Sequence, residues 1–338
     1  MRVVVTGHAG FIGPHAVEQL IGAGHYVKGI DIGLFEGCDL YPMARPSASE
    51  MRDIFDLGPA DFEGFDAVFH LAGLSNDPLC DLDASLTWRI NHQGTLHVAR
   101  CAKEAGVPRF LFSSSCSIYG KSGDDVIAET GELSPMTVYA ESKIASEEAL
   151  SALADESFSP VFLRNATAYG TSPRLRLDLV LNNLTAYAFS TGEVRILSDG
   201  TPWRPLVHCR DIARAFVHLA EAPRTIIHNE AFNVGRTDEN YQVRDLAAIV
   251  AEEMPGCMIR YAGESAPDSR DYRVDFSKFA RTFPEFQFGS TVRDGVRELV
   301  RDFKQFGMTV ERLEGYEFNR LRALRRNSLH LLTTVTAG

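Results

Sequence analysis

Arg2-Val3-Val4-Val5-Thr6-Gly7-His8-Ala9-Gly10-Phe11-Ile12-Gly13-Pro14 is a short β-branched run that ends in spaced glycines and then a proline. The valines predict a buried parallel strand. Pro14 predicts the first turn of a helix running to about Ala23. Gly7, Gly10 and Gly13 then have separate uses: a tight turn, close approach of backbone to a pyrophosphate, and close packing of helix on strand. The helix N-terminus adds N–H donors and a favourable dipole for phosphate. A strand, glycine loop and helix in this order predict an α/β chain of Rossmann-like type with a doubly wound parallel sheet.

Working outward, Tyr26-Val-Lys-Gly-Ile30 reads as a second strand that ends at Asp31. An acid about 20 residues past the glycines can accept hydrogen bonds from a ribose, and it repels a 2′-phosphate, so NAD is favoured over NADP. A strand-end turn aspartate is the plainer alternative. Asp53-Ile54 precedes Phe65 to Gly73, a strand that runs into the small-residue turn Leu71-Ala72-Gly73, where backbone can approach a ligand.

Ser85 to Ala105 has helical spacing, with Asn91 on it. Arg109-Phe-Leu-Phe-Ser113 is a further strand, and it delivers Ser113, Ser114 and Ser115 to the carboxyl end of the sheet, the usual ligand crevice. Tyr139-Ala-Glu-Ser-Lys143 begins an alanine- and glutamate-rich helix, which places phenol and ammonium on one face. A cation close by favours the ionised phenol. Lowering a phenol from about 10 to about 7 asks for ~4 kcal/mol. Taken alone, the pair also fits a solvated helix face.

With 338 residues, 45% hydrophobic and 23% charged, the chain can bury a large core. Its net charge of -11 argues against nucleic acid or an anionic membrane surface as the main partner. No apolar run is long enough to span a bilayer, and no signal peptide is evident. The six cysteines lack metal-ligand spacing, so no metal site is expected; free thiols suit a cytoplasmic location. Met254 and Met258 read as core.

Thr6-Gly-x-x-Gly-Phe-Ile-Gly13, Asp31, His70-Leu-Ala-Gly73, Ser113-Ser-Ser-x-x-x-Tyr-Gly120 and Tyr139-x-x-x-Lys143, in that order, resemble the extended short-chain dehydrogenase/reductases. Within them the chain is similar to the nucleotide-sugar epimerases and dehydratases. The similarity continues through Leu163 to Gly170, Asp178 to Gly200, Trp203 to Asp211, Phe232 to Gly235 and Ser269 to Asp275. The resemblance implies that Tyr139 is the general base, Lys143 its cationic partner and ribose ligand, and Ser115 the hydroxyl on the reacting oxygen. Gly7, Gly10, Phe11, Ile12 and Gly13 would hold the pyrophosphate of NAD, with Asp31 on its ribose and Asp53 and Ile54 at the adenine. Leu71, Ala72 and Gly73 would line the cofactor path.

On the substrate side the resemblance implies Asn182, Asn183 and Leu184 at the nucleotide, followed by a strand over Val194 to Leu197. Arg204 and Arg270 would grip the diphosphate, since guanidinium forks suit phosphate oxygens. Ser117 and Thr167 would face the sugar, with Arg174 and Arg176 as extra cations near it or on the solvated surface. Three departures limit the reaction. Cys116 and Ser117 stand where family dehydratases carry Asp-Glu, and decarboxylating relatives usually have Glu at position 117. Arg164-Asn-Ala-Thr167 replaces an Arg-Tyr-Phe-Asn motif. Cys116 is expected to pack rather than react, and His208 to be a hydrogen-bonded structural histidine.

The resemblance and its departures together imply redox-neutral epimerisation of a nucleoside-diphosphate sugar, at carbon 4. The alternative is NAD(P)H-dependent reduction of a 4-keto(-6-deoxy) sugar nucleotide, and a remote one is a non-catalytic dinucleotide sensor. Residues 1–170 and about 204–234 would form the NAD domain, and 171–203 with 235–338 the smaller α/β nucleotide-sugar lobe. A terminal amphipathic helix is expected over Asn319 to Leu332. In the family, the helices spanning here Ser85 to Ala105 and Tyr139 to Leu153 commonly make a homodimer contact.

Overall fold

A computed structural model describes residues 1–75, 80, 83–261 and 270–326, with backbone alone for 122–124. In chain order the strands are β1 (Arg2–Thr6), β2 (Tyr26–Asp31), β3 (Ala48–Met51), β4 (Ala67–His70), β5 (Arg109–Ser115), β6 (Lys121–Ile127) and β7 (Ser159–Asn165). They continue with β8 (Thr167–Tyr169), β9 (Glu193–Ile196), β10 (Trp203–His208), β11 (Glu230–Val234), β12 (Asn240–Gln242), β13 (Met258–Tyr261) and β14 (Asp271–Val274). Helices of ten residues or more are α1 (Gly13–Gly22), α2 (Thr95–Glu104), α3 (Val138–Ser151), α4 (Val180–Thr191), α5 (Cys209–Glu221), α6 (Val243–Glu253) and α7 (Val292–Gln305).

Seven strands form one parallel sheet in the order β11-β7-β5-β4-β1-β2-β3. The chain winds outward from β1 in both directions, so the strand order reverses between β1 and β4 and opens a crevice at their carboxyl ends. Successive β1 residues face opposite sides, as a pleat requires. Val3 and Val5 pack with Ala16, Val17 and Leu20 of α1 and with Ile212 and Phe216 of α5. Val4 packs on the other face with Val98 and Ala102 of α2 and Leu150 of α3. All three valines are fully buried, each contributing roughly 1.5–3 kcal/mol of transfer free energy.

The helical stretch before α2 runs through Ala84–Thr87 and then a π-wound segment, Trp88–Gly94. The wider turn leaves the Asn91 carbonyl to accept from Thr95 Oγ1 at 2.6 Å and Ser146 Oγ at 3.1 Å. Asn91 itself accepts from Leu74 N–H at 2.8 Å and donates to Leu74 O at 2.9 Å, which fixes the turn after β4. Periodicity alone predicted a plain helix here, and the face it buries is instead set by Thr87, Asn91, Gly94, Thr95 and Val98, with Leu86 42% exposed.

A smaller layer stands over the carboxyl ends. It comprises the sheet β12-β10-β8, the pair β13-β9 and the helices α4, α6 and α7, packed around Leu181, Leu184, Val194, Leu206, Leu246 and Val296. β10 belongs to this layer's sheet, while α5, which comes directly after it, packs on α1 under the large sheet. β14 pairs with β6 and joins the layers. Met258, expected in the core, is 54% exposed because it lies on the edge pair β13-β9, whereas Met254 packs against the α4–α6 cluster. Of the helix expected over Asn319 to Leu332, 320–326 is helical, Asn319 directly precedes it, and 327–332 lies outside the described residues, as does Ser269.

Candidate active site

A cleft of about 820 Å³ lies between the carboxyl ends of the large sheet and the smaller layer. Its floor is the glycine turn. Gly7 has φ +74°, and a Cβ there would stand 2.7 Å from Ala72 N; one on Gly13 would stand 2.4 Å from Gly7 O and 2.5 Å from His8 O. Both side-chain-free positions are therefore demanded by backbone packing. Phe11 and Ile12 line the cleft with them, as do Leu71, Ala72, Gly73, Asp53 and Ile54. Asp31 accepts from the Ala9 N–H at 3.1 Å and the Gly33 N–H at 2.8 Å, tying the end of β2 to the glycine turn while it faces the cleft. Asp53 caps the turn Ile54–Asp56 by accepting from Phe55 N–H.

Tyr139 and Lys143 meet the cleft from the first turns of α3, whose N-terminus is capped by the Thr137 hydroxyl, accepting from Ala140 N–H. Lys143 Nζ lies 5.5 Å from the Tyr139 ring centroid and donates to the Ser113 carbonyl at 2.8 Å. Burial pushes the ammonium down to about 8, since the charged form has lost its water. It is thus a cation held at a cost beside the phenol. β5 ends at Ser115, whose Oγ accepts from Ser117 N–H at 3.1 Å and keeps its own proton to donate. Ser115 and Ser117 both line the cleft, and Ser117 Oγ is buried without a hydrogen-bond partner among the described residues.

Beneath these serines the buried carboxylate of Glu147 accepts from the Ser114 hydroxyl and pairs with Arg164. Arg164 continues to Tyr119 Oη at 3.1 Å, and Tyr119 donates to Asn233 Oδ1 at 2.7 Å. Cys116 is fully buried in this network, its thiol pushed far up by burial and donating to the Arg164 carbonyl; it does not line the cleft. His208 is buried too, paired with Glu298 Oε2 at 2.6 Å.

The smaller layer adds Thr167, Asn183, Leu184, Arg204 and Arg270, with Arg195 to Ser198 from β9 and its end. Asn183 donates to Leu177 O at 2.8 Å. Arg204 donates to the Arg270 carbonyl at 2.6 Å, so the two arginine segments are fastened together. Asn182 and Arg174 stand apart from the cleft. Asn182 is fully buried, accepts from Gly170 N–H and donates to Gly170 O and Arg176 O, which occupies its amide with backbone. Arg174 is buried against Asp39 at 3.2 Å. Adjacent residues of a helix are turned by about 100° from one another, so Asn182 and Asn183 point to different sides of α4, and only the second reaches the cleft.

Asn165 and Arg320 are among the cleft residues that sequence did not single out. Asn165, at the end of β7, donates to Ser113 Oγ at 3.1 Å and Ser114 O at 3.2 Å, and its Oδ1 is buried without a partner among the described residues. Arg320, far along the chain, reaches the cleft from the terminal helix.

The model of the NAD dependent epimerase/dehydratase family matches residues 3–235, more than half of the chain. The chain belongs to that family. Its members are NAD-dependent enzymes of the extended short-chain dehydrogenase/reductase type, and the glycine cradle, Asp31 and the Ala72 approach fit a dinucleotide. UDP-glucuronic acid decarboxylase 1 of Arabidopsis thaliana is 29% identical over 316 residues, covering 90% of this chain and 70% of that protein. UDP-glucose 4-epimerase of Bacillus subtilis (strain 168) is 25% identical over 332 residues, covering 89% and 95%. Among solved structures, MoeE5 in complex with UDP-glucuronic acid and NAD has a TM-score of 0.77 at 26% identity, covering 90% of this chain and 99% of that one. Among the described residues no helix is long and apolar enough to cross a membrane.

Proposed function

We propose that the chain epimerises a nucleoside-diphosphate sugar at carbon 4, through a 4-keto sugar that is reduced again on its other face. The observation that carries the reading is the convergence of Tyr139, Lys143 and Ser115 on one cleft, with the ammonium 5.5 Å from the phenol ring. NAD, when bound, supplies a reversible hydride acceptor. Tyr139 takes the proton of the 4-hydroxyl through its phenol oxygen. Lys143 favours the phenolate by charge, and Ser115 donates to the sugar oxygen. Arg204 and Arg270 hold the diphosphate, with Asn183 and Leu184 at the nucleotide and Ser117, Thr167 and Asn165 at the sugar. Loss of water or of carbon dioxide is disfavoured because Cys116 is buried away from the cleft and position 117 is a serine rather than an acid.

In this reading residues 1–170 and about 204–234 serve NAD and the remainder serves the sugar nucleotide. The working form is a cytoplasmic homodimer through the helices over Ser85 to Ala105 and Tyr139 to Leu153; six free thiols support a reducing compartment. The test is incubation of the purified protein, without added cofactor, with UDP-, dTDP-, CDP- and GDP-linked hexoses, uronates and 4-keto sugars, monitored by proton NMR. A product of unchanged mass with one inverted carbon is expected. Turnover of a keto sugar that starts only when NADH or NADPH is supplied would replace epimerisation by reduction.

A further inference from the structure

Arg320 is an unusual guanidinium. It is 4% exposed, it lines the cleft, and its Nη1 has no hydrogen-bond partner among the described residues. What holds it is modest: Nη2 donates to the Arg174 carbonyl at 3.0 Å, and the guanidinium stacks 4.0 Å over the Phe35 ring. The acids nearby are taken. Asp178 forms a two-pronged pair with Arg176, at 3.1 and 2.7 Å, and Asp39 lies against Arg174. Three buried guanidiniums thus share two carboxylates. Burial and the charges of Arg176 and Arg174 push Arg320 down to about 9, which marks a cation short of a counter-charge.

Arg176 also lines the cleft and donates through Nη1 to Ser75 Oγ at 2.9 Å, which leaves the Ser75 proton able to donate in turn. A buried fork with a spare N–H, a second fork beside it and a hydroxyl donor are the parts of an oxyanion site. We propose that Arg320, Arg176 and Ser75 form an oxyanion-binding subsite of the cleft, which takes a diphosphate or carboxylate oxygen of the dinucleotide or of the nucleotide sugar. The sugar arm rests on the proposed nucleotide-sugar function; the dinucleotide arm does not. The subsite depends on a helix beyond the family match, which ends at residue 235.

Calorimetric titration of wild type, Arg320→Met and Arg320→Lys tests it, first with NAD, then, on NAD-loaded protein, with UDP, UDP-glucose, UDP-glucuronate and dTDP-glucose. A loss of about tenfold or more is expected in Arg320→Met for at least one ligand, with a smaller loss in Arg320→Lys, which keeps charge but not the fork. A loss confined to NAD assigns the dinucleotide. Equal losses for the sugar nucleotides assign their diphosphate, and a loss for UDP-glucuronate alone assigns a sugar carboxylate. Unchanged affinity for every ligand overturns the subsite. If wild type binds NAD and none of the sugar nucleotides, the nucleotide-sugar reading falls by itself, and the NAD arm alone decides for or against Arg320. Should Arg320→Met fail to fold, Arg320→Lys carries the same comparison, and wild-type affinities in it overturn the proposal.

Discussion

Glu147 and Arg164 form a buried two-pronged ion pair under the serines that end β5, with Arg164 Nε 3.1 Å from both carboxylate oxygens and Nη2 2.7 Å from one. Side chains on α3 and β7 are thereby locked beneath the strand that carries Ser115. The pair pushes the Arg164 guanidinium up, as charge and hydrogen bonds outweigh its burial. Arg164→Met leaves a buried carboxylate uncompensated and is expected to cost about 3–5 kcal/mol in urea unfolding. Adding Glu147→Met should recover part of that loss. A double variant as unstable as the sum of its singles would show that the two residues do not act as a pair.

Tyr139→Phe removes the phenol oxygen and little else. Turnover is expected to fall by on the order of 10²–10⁴-fold, the usual worth of a general base, with NAD still bound in calorimetry. Wild-type turnover in this variant would remove Tyr139 from the base role.

Lys143 links the site to pH. Its folded value of about 8 lies below the ordinary lysine value of about 10.4, so between these limits the unfolded chain binds more protons there than the folded one. Wild-type stability should therefore rise with pH across that window, by up to about 1.4 kcal/mol per pH unit, relative to Lys143→Met. Denaturant curves of both cofactor-stripped proteins at pH 7, 8.5 and 10 check this. A constant difference between them would mean that the ammonium is not held at a cost.

Gly13→Ala would drive a methyl into the carbonyls of Gly7 and His8, both backbone atoms that cannot step aside alone. A stability loss of about 1–3 kcal/mol is expected, with weaker NAD binding because the glycine turn must open. Thermal unfolding and NAD titration read the two effects separately.

Arg270→Ala is expected to weaken nucleotide-sugar binding by tenfold or more while NAD affinity stays unchanged. Loss of turnover at unchanged affinity would take Arg270 out of the diphosphate contact.

The large sheet and the dinucleotide rim were legible because their signals are local. A strand, three glycines and Asp31 sit within about 30 residues, and for Gly7 and Gly13 the structure shows the backbone reason. Tyr139 and Lys143 were legible for the same reason, one helical turn apart. On the smaller layer's side of the cleft, sequence separates neighbouring residues less well. Neighbouring asparagines 182 and 183 differ in what they face, and Arg174 turns to Asp39 while Arg176 turns to the cleft. Such choices depend on which way a helix or loop is rotated in the assembled layer. Arg320 carries no motif at all, and Asn165 stands in a stretch, Arg164-Asn-Ala-Thr167, that departs from the family pattern, so the place of both in the cleft comes from tertiary packing.

β6 and β14 run side by side although roughly 150 residues separate their paired positions, Lys121 with Asp271 among them. Contacts between β1, β2 and β4, by contrast, close over short stretches of chain. Long-range pairings form late because their loop entropy must be met first. A nascent chain that follows this order has β1, β2 and β4 paired before the smaller layer over them is assembled.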